Sequence, residues 1–320
     1  MRVLVASREG LHPFDDRGAA GSVQLAGRAV SALAPNGPEL WAAADGSQLW
    51  HASGDEWDHV ADLAGLRITS IATTDADVFV GSSEAHLFRV VGDRLEPVGA
   101  FDRADGRSSW YTPWGGPPET RSLSEWDDDL YVNVHVGGIL RTDDRGEHWT
   151  PTIDIDADVH QVATAEGLVL AACAGGLAVS GDRGATWTLR AEGLEAPYSR
   201  AVTVCGDAVL VSASNGPRGG RSAVYRGALA NGGFERCRDG LPEWFDDNID
   251  SSCLDALPDG SFAAFGTSDG QLFGSRDTGS SWIELASGLP AVRGVLVAPS
   301  SDTRNGITLC SKLGASQSKN

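Results

Sequence analysis

The chain has 320 residues, and its 25 Lys and Arg residues are outnumbered by 44 Asp and Glu residues, which gives a formal net charge of −19. This acidity argues against nucleic acid or an anionic membrane as a partner, because both select patches rich in Lys and Arg. Forty glycines, ten tryptophans and one methionine favour a turn-rich, all-β protein over a helical one. Lysine occurs only at positions 312 and 319, so nearly all basic residues are arginines. Such an arginine-rich, aspartate-rich composition fits either a GC-rich genome or a high-salt cytoplasm.

The N-terminal segment MRVLVASREG contains an apolar run of strand length. That run is too short for a signal peptide or a membrane span, so we predict that residues 1–7 form a β-strand. The five cysteines are odd in number and include no Cys-x-x-Cys pair, which favours free, buried thiols in a reducing compartment. These features predict a cytoplasmic protein.

A pattern of the form Ser/Thr-x-Asp-x-Gly-x-x-Trp, which we call the box, occurs three times along the chain. The three copies are residues 142–149, 180–187 and 275–282. The Asp carboxylate can accept backbone N–H groups inside a tight turn, the Gly can adopt a positive φ, and the Trp can fold back under the turn. Each copy therefore predicts two strands joined by a stapled turn.

Degenerate copies of the box occur along the rest of the chain. With one anchor residue for each copy, the turns recur at intervals of about 38 to 51 residues, which suits one four-stranded propeller blade per repeat. The anchors are Asp16, Asp55, Asp93, Asp144, Asp182, Asn231 and Asp277. The spacing therefore predicts seven blades.

The segments between the turns are short apolar runs, and none sustains the period of an amphipathic helix. Residues 292–298 have the pattern of an inner strand without a blade of its own, and residues 1–7 have that of a second strand. Pairing the two would close a ring and remove its exposed sheet edges. We predict an all-β, seven-bladed β-propeller as a single domain over residues 1–298. The extension 299–320 is expected to hold at most one strand, at 307–310, before a flexible tail.

The three intact boxes and the four degenerate ones resemble the repeats of the Asp-box, or BNR-repeat, β-propellers. That family includes sialidases, some endoglucanases, sortilin-type receptors and photosystem assembly factors, so the resemblance implies a fold and no single activity. In the family the boxes lie on the face opposite the usual active site. A sialidase would carry a Phe-Arg-Ile-Pro-like segment near its start and six blades, and this sequence has neither feature. The resemblance therefore does not imply a classical sialidase.

The loops that lead into the inner strands should surround the mouth of the central channel, where a ligand site is expected. Alignment of these strands places Arg28, Arg67 and Arg121 at one opening position of three successive blades, with Arg200 one position further along in another. Guanidinium groups bind carboxylate or phosphate through paired hydrogen bonds, so this rim predicts a small anionic ligand. The alternative is that each Arg pairs with an Asp or Glu at its own blade boundary.

Two histidines could form a metal site at the same mouth. His160 lies early in an inner strand, and His135 lies on a loop expected near the start of that strand. Imidazole nitrogens are ligands for zinc or copper, and Asp158 could add an oxygen. A transition metal held by His135 and His160 is therefore one hypothesis for a cofactor. The alternative is that these histidines only form hydrogen bonds within the sheet.

Aromatic residues on the long loops could form walls for a sugar or another ring. They are Trp110, Trp114, Tyr198 and Trp244. The alternative is that the loop forms a lid over the channel mouth and packs its own tryptophans.

Glycoside hydrolysis needs two carboxyl groups, one of them protonated. The sequence offers too many candidates to select a pair, namely Glu119, Asp158, Glu243, Asp246, Asp247 and Asp255.

The primary functional hypothesis is a cytosolic propeller that holds a small anionic or polar, sugar-like ligand at the channel mouth. If the ligand is turned over by a hydrolase or lyase reaction, the expected acid–base residues are His160, His135, Asp158 and Glu119. Two other functions stay open. One is a non-catalytic scaffold or assembly factor that presents its long loops to a protein partner. The other is a metalloenzyme with a histidine-based site at the mouth.

Overall fold

The computed structural model describes residues 1–229 and 231–299, and these form seven antiparallel sheets arranged as the blades of a propeller. The predicted all-β, seven-bladed fold is confirmed. Within this part of the chain the helical segments are three single 3-10 turns, Phe101–Arg103, Arg107–Ser109 and Ile155–Ala157. No helix there is long and apolar enough to cross a membrane. The strand expected at 307–310 and the tail after it fall outside the described residues.

The closing blade consists of the two N-terminal strands and the last strand. These are β1 (Arg2–Ser7), β2 (Gly10–Asp15) and β27 (Gly294–Ala298). β1 pairs with β2 on one side and with β27 on the other, in the order β2-β1-β27. The predicted closure of the ring, with an N-terminal second strand against a C-terminal inner strand, is thus confirmed.

The other six blades each have four strands in chain order, from the channel outwards. Blade 1 has β3 (Val30–Asn36), β4 (Glu39–Ala44), β5 (Gln48–Ser53) and β6 (Trp57–Asp62). Blade 2 has β7 (Ile68–Thr73), β8 (Val78–Ser82), β9 (Leu87–Val91) and β10 (Arg94–Pro97). Blade 3 has β11 (Thr120–Trp126), β12 (Asp129–Val134), β13 (Gly138–Thr142) and β14 (Thr150–Pro151).

The second half of the ring repeats this arrangement. Blade 4 has β15 (Val159–Ala165), β16 (Leu168–Cys173), β17 (Gly176–Ser180) and β18 (Thr188–Arg190). Blade 5 has β19 (Tyr198–Cys205), β20 (Ala208–Ser214), β21 (Ala223–Ala228) and β22 (Phe234–Arg236). Blade 6 has β23 (Leu254–Ala256), β24 (Ala263–Gly266), β25 (Leu272–Ser275) and β26 (Ile283–Ala286).

The second strand of each blade lies deepest in the core. Every residue of β12 and of β20 is buried, while the outermost strand β18 is mainly exposed. Both faces of a second strand pack against neighbouring blades, which explains why these strands are continuous apolar runs rather than alternating ones. The core is therefore a set of apolar layers between blades, and the inner strands line the central channel.

The three intact boxes share one hydrogen-bonding pattern. In blade 4, Asp182 Oδ1 accepts the N–H of Thr186 and the hydroxyl of Ser180, each at 2.8 Å, and Gly184 N–H donates to Ser180 Oγ at 2.8 Å. Trp187 Nε1 donates to the carbonyl oxygen of Gly184 at 3.1 Å. Gly184 has the expected positive φ of 89°. Arg183 also has a positive φ, 60°, which the sequence pattern does not predict.

The first turn is made by a different residue from the one predicted. Asp15 Oδ1 accepts the N–H groups of Arg17 and Ala19, each at 2.8 Å. The predicted anchor, Asp16, instead forms an ion pair with Arg276 at 3.0 Å. The two aspartates are adjacent, and the end of β2 at Asp15 decides which carboxylate faces into the turn.

Five inner strands carry a β-bulge close to their first residue. The extra residue, which has no partner in the second strand, is Ser31 in β3, Thr69 in β7, Arg121 in β11 and His160 in β15; in β19, Arg200 and Ala201 together take this place. Bulges redirect side chains and occur often beside functional sites.

The shared bulge gives a common reference for aligning the opening positions. Arg121 occupies the bulge of its strand, whereas Arg28 and Arg67 lie before the first residue of theirs. Arg121, His160 and Arg200 therefore correspond to one another, and the predicted correspondence of Arg28, Arg67 and Arg121 is wrong. A pattern that alternates strictly along a strand contains no sign of the extra residue.

Closure of the ring can be tested at Leu4 in β1, which is fully buried and packs with Leu11 and Val30. We expect Leu4→Ala to lower the free energy of unfolding by about 2–5 kcal/mol, because it leaves a cavity in the closing blade. The matched control is Leu189→Ala on exposed β18, which should change it by less than about 0.5 kcal/mol. Equal losses in denaturant titrations of the two variants would contradict the assignment of β1 to the core.

The box carboxylates should make stability depend on acid pH. The hydrogen bonds from Thr186 lower the pKa of Asp182 from its ordinary 3.8 to about 2. Because the folded-state pKa is the lower one, the contribution of Asp182 to stability is full above the unfolded-state pKa and is lost as the pH falls towards 2. Between about pH 5 and pH 2, Asp182→Asn should therefore lose less stability than the wild type. Identical pH profiles of the melting temperature would refute this.

Candidate functional site

Charged and imidazole side chains from four successive blades meet where the inner strands begin. This end of the channel is opposite the box turns, because a box joins the third strand of a blade to the fourth and therefore lies where the inner strands end. We call these side chains the mouth group: Arg121, His135, Asp158, His160, Arg200 and Asp250.

Two arginines of the mouth group share one carboxylate oxygen. Arg121 Nη2 lies 3.4 Å and Arg200 Nη1 lies 3.2 Å from Asp250 Oδ1. Arg121 belongs to blade 3 and Asp250 to the loop before blade 6, so this contact crosses the channel mouth between positions 129 residues apart. Both guanidinium groups are mostly buried, and burial together with the charge of Arg200 lowers the pKa of Arg121. The pair of arginines is thus only partly neutralised by Asp250.

His160 is fully buried and has a defined tautomer. Its Nδ1 lies 2.6 Å from the carbonyl oxygen of Ser199, and because a carbonyl can only accept, Nδ1 carries the proton. The other nitrogen, Nε2, has no hydrogen-bond partner among the described residues, and Asp158 Oδ2 lies 3.6 Å from it. Burial lowers the pKa of His160, so at neutral pH its Nε2 presents a lone pair.

His135 faces the same carboxylate from blade 3. Its Nε2 lies 3.7 Å from Asp158 Oδ1. Arg121 Nη1 lies 3.2 Å from Nδ1 and 3.0 Å from Nε2 of His135, and a position so nearly equidistant from both nitrogens is over the ring face rather than at its edge. Burial, then Arg121 and His160, lower the pKa of His135 to about 3. The mouth therefore holds two neutral imidazoles beside an ionised carboxylate.

Three residues in or beside the mouth group have a left-handed backbone, as do Arg145, Arg183 and Thr278 in the box turns. Asp158 has a φ of 48°, Val136, next to His135, has 53°, and Ser252, close to Asp250, has 62°. The left-handed region is especially unfavourable for a β-branched residue such as Val136, and each such residue costs about 1–3 kcal/mol. The surrounding structure holds these positions in place, as is common at ligand sites.

The predicted aromatic residues fall into two groups. The ring of Trp114 lies 5.0 Å from that of His135, and Tyr198 lies 4.6 Å from His160, so both border the mouth group. Trp110 instead packs on Phe101. This contact matches the alternative expectation, in which the loop packs its own tryptophans. Trp244 packs against two guanidinium groups, those of Arg221 at 4.4 Å and Arg236 at 3.8 Å from its ring centroid.

Two of the predicted rim arginines form ion pairs with nearby carboxylates and do not join the mouth group. Arg28 contacts Asp45 at 2.7 Å and stacks over Trp50, and Arg67 contacts Glu119 at 3.6 Å. For these two arginines the structure therefore matches the alternative expectation, in which an arginine forms an ion pair with an Asp or Glu at a blade boundary. Glu119 is thereby engaged by Arg67 at the edge of the mouth.

Sequence reasoning missed Asp250 and the carbonyl oxygen of Ser199. The signal for Asp250 was present, because it ends the long loop 238–250 directly before the expected start of an inner strand. No sequence signal identifies a backbone carbonyl as the partner of His160.

The channel below the mouth holds a cavity of about 560 Å³, lined by the inner strands. Two carboxyl groups, Glu125 and Asp255, lie in its wall, and burial raises the pKa of both, that of Asp255 to about 6. Asp255 also accepts the N–H of Val297 at 2.7 Å, which holds it against β27. Of the carboxyl groups considered for glycoside hydrolysis, Asp255 has a raised pKa, while that of Asp158 at the mouth is lowered.

Comparison with known proteins gives the fold. No protein-family model matches the chain, and no curated protein matches it. Solved structures of seven-bladed β-propellers do match. The GH74 xyloglucanase from Xanthomonas campestris is 16% identical with a TM-score of 0.65, over 89% of this chain and 52% of that chain, so this chain spans about half of that enzyme.

Two further similar structures are not described as enzymes. BamB from Moraxella catarrhalis is 14% identical with a TM-score of 0.57, over 92% of this chain and 85% of that chain. YCF48 bound to D1 peptide is 13% identical with a TM-score of 0.55, over 80% of this chain and 81% of that chain. At such identities the likeness shows the fold alone.

The shared carboxylate can be tested by replacing Asp250. We expect Asp250→Asn to lower the free energy of unfolding by about 1–3 kcal/mol, because it leaves two mostly buried guanidinium groups without their common partner. Asp45→Asn, which removes the partner of the more exposed Arg28, should cost less than about 1 kcal/mol. Equally small losses for both variants in denaturant titrations would contradict the proposed role of Asp250.

Proposed function

We propose that this protein is an Asp-box β-propeller that binds a small anionic or polar ligand through its mouth group. The proposal rests chiefly on two buried atoms, His160 Nε2 and Asp158 Oδ1, which have no hydrogen-bond partner among the described residues. A buried polar atom without a partner costs about 1–3 kcal/mol, and most native structures avoid it. A ligand with hydroxyl groups would satisfy both acceptors.

The chemistry of the mouth group narrows the class of ligand. His160 Nε2 and Asp158 Oδ1 are acceptors and call for hydroxyl donors, whereas Arg121 and Arg200 are donors suited to a carboxylate or phosphate. Trp114 and Tyr198 at the border offer ring faces for stacking. A polyhydroxy acid, such as a sugar acid, carries both kinds of group and is the ligand class we propose.

Binding is better supported than turnover. Glycoside hydrolysis needs a protonated carboxyl group next to an ionised one, and the pKa of Asp158 is lowered rather than raised. If the ligand is turned over, the neutral His160 is the proposed base, since its Nε2 lone pair faces the mouth. The proposal includes a cytosolic location, which the free, buried thiols of Cys173, Cys205, Cys237 and Cys253 suit.

A scaffold function is the second candidate, and two exposed aromatic residues favour it. Tyr111 and Trp114 are 47% and 66% exposed on the loop that follows β10 and its short 3-10 turns. Exposed aromatic residues often anchor protein partners, and the similar YCF48 structure is bound to a peptide. If the protein is a scaffold, it should elute from native cell extract in a larger complex, and Tyr111→Ser/Trp114→Ser should elute as free protein. Identical elution of both would remove this candidate.

Ligand binding can be tested by a thermal-shift screen of sugar acids, phosphates and simple carboxylates in the presence of a chelator. A ligand at about 100 times its dissociation constant adds about 2.7 kcal/mol of stability and raises the melting temperature. We expect Arg121→Gln and Arg200→Gln to abolish that rise. Arg28→Gln, which removes a locally paired arginine, should keep it.

Two outcomes would count against the proposal. One is no stabilisation of the wild type by any member of the three classes. The other is a rise of equal size in Arg121→Gln, Arg200→Gln and Arg28→Gln, which would place binding elsewhere on the surface. The melting temperature of each free variant shows whether it is folded, and having two arginine variants protects the test from the failure of one.

A further inference from the structure

We propose that His135, Asp158 and His160 bind a divalent transition-metal ion at the channel mouth, with zinc as the first candidate. The inference deepens the proposed function and rests on the same site, because it assigns a cation, in place of ligand hydroxyl groups, to the unpartnered His160 Nε2 and Asp158 Oδ1. One ligand atom from each of the three residues lies within 4.8 Å of the others.

The distances between these atoms suit a small ion. Asp158 Oδ1 lies 3.7 Å from His135 Nε2, and Asp158 Oδ2 lies 3.6 Å from His160 Nε2. Both are too long for direct hydrogen bonds. Two ligands at about 2.0–2.2 Å from a tetrahedral zinc ion are about 3.3–3.6 Å apart, and because the three ligand atoms lie within 4.8 Å of one another, the side chains would close by at most about 1.5 Å on binding.

His160 is prepared as a ligand by its second nitrogen. Its Nδ1 proton is donated to the Ser199 carbonyl oxygen at 2.6 Å, which fixes the ring and leaves the Nε2 lone pair pointing to Asp158. Metal-binding histidines almost always donate their other N–H in this way, often to a backbone carbonyl. The fully buried Nε2 has no partner within the described chain, and a coordinate bond would supply one.

The arginine next to His135 does not block its lone pair. Because Arg121 Nη1 is almost equally far from both ring nitrogens, it lies over the face of the imidazole, and the lone pair of Nε2 stays in the ring plane. The positive charges of Arg121 and Arg200 weaken the affinity for a cation, while the negative charges of Asp158 and Asp250 offset them.

Three protein ligands leave coordination positions open. Two imidazoles and one carboxylate favour zinc, iron, cobalt or copper over magnesium and calcium, which prefer oxygen ligands. Arg121 lies beside His135, and Arg200 shares Asp250 with Arg121, so an anion could bind the metal and the guanidinium groups together. The metal would supply Lewis-acid polarisation of such a ligand, and the arginines would orient it.

The test uses the full chain after treatment with a chelator and its removal. Isothermal titration with Zn²⁺ should show one equivalent bound, and Co²⁺ should give the visible absorption bands of a low-coordinate site. Asp158→Asn and His135→Gln should each weaken Zn²⁺ binding by about 100-fold or more, since even the loss of a residue that only orients a metal ligand costs about 10–100-fold. Mg²⁺ should not bind detectably.

The matched control is His86→Gln, because His86 also pairs with a carboxylate, that of Asp102 at 2.8 Å, on the blade 2 side of the ring. It should bind Zn²⁺ like the wild type. The inference is overturned if the wild type binds no stoichiometric Zn²⁺ or Co²⁺, or if His86→Gln and Asp158→Asn lower the affinity equally. The sugar-acid screen is run with a chelator present, so that the failure of the metal site and the failure of anion binding are separate results.

Discussion

The antiparallel pairing of β1 with β27 joins the two ends of the propeller, and the geometry of the channel mouth depends on it. Five residue pairs, from Arg2 with Ala298 to Ala6 with Gly294, hold the closing blade together. Closure fixes the separation of inner strands on opposite sides of the channel. Arg121 and Asp250 can therefore meet across the mouth, although they lie 129 positions apart in the chain. In an open ring, no local interaction would hold these two side chains at that distance.

The two faces of the ring have different physical roles. At the box turns the polar side chains are satisfied within the turn, as when Asp182 accepts both the backbone and the hydroxyl of Thr186. At the mouth, the buried His160 Nε2 and Asp158 Oδ1 lack a hydrogen-bond partner in the described chain. Proteins tend to depart from locally favourable choices at functional sites, so the contrast favours the mouth as the site and the boxes as framework.

The sequence predicted the blades because each box is a local device that needs only residues within one turn. It also predicted ring closure, since residues 1–7 and 292–298 were each half of an incomplete blade. It failed where geometry depends on register: Arg121 occupies the bulge of β11, whereas Arg28 and Arg67 lie three and two residues before the bulges of their strands, at Ser31 and Thr69. His135 and His160 were recognised by type, but their approach to Asp158 depends on the left-handed backbone of Asp158 and on the Ser199 carbonyl, neither of which a sequence pattern contains.

The central claim is that the mouth group, and not the cavity deeper in the channel, is where this propeller binds its ligand. Anomalous diffraction from crystals grown with selenate and Zn²⁺ tests it most directly, because both scatterers can be located whatever the natural ligand is. We expect a zinc peak between His135, Asp158 and His160, and a selenium peak placed so that the selenate oxygens accept hydrogen bonds from Arg121 and Arg200. Peaks confined to exposed surface residues, with none at the mouth group, would contradict the account.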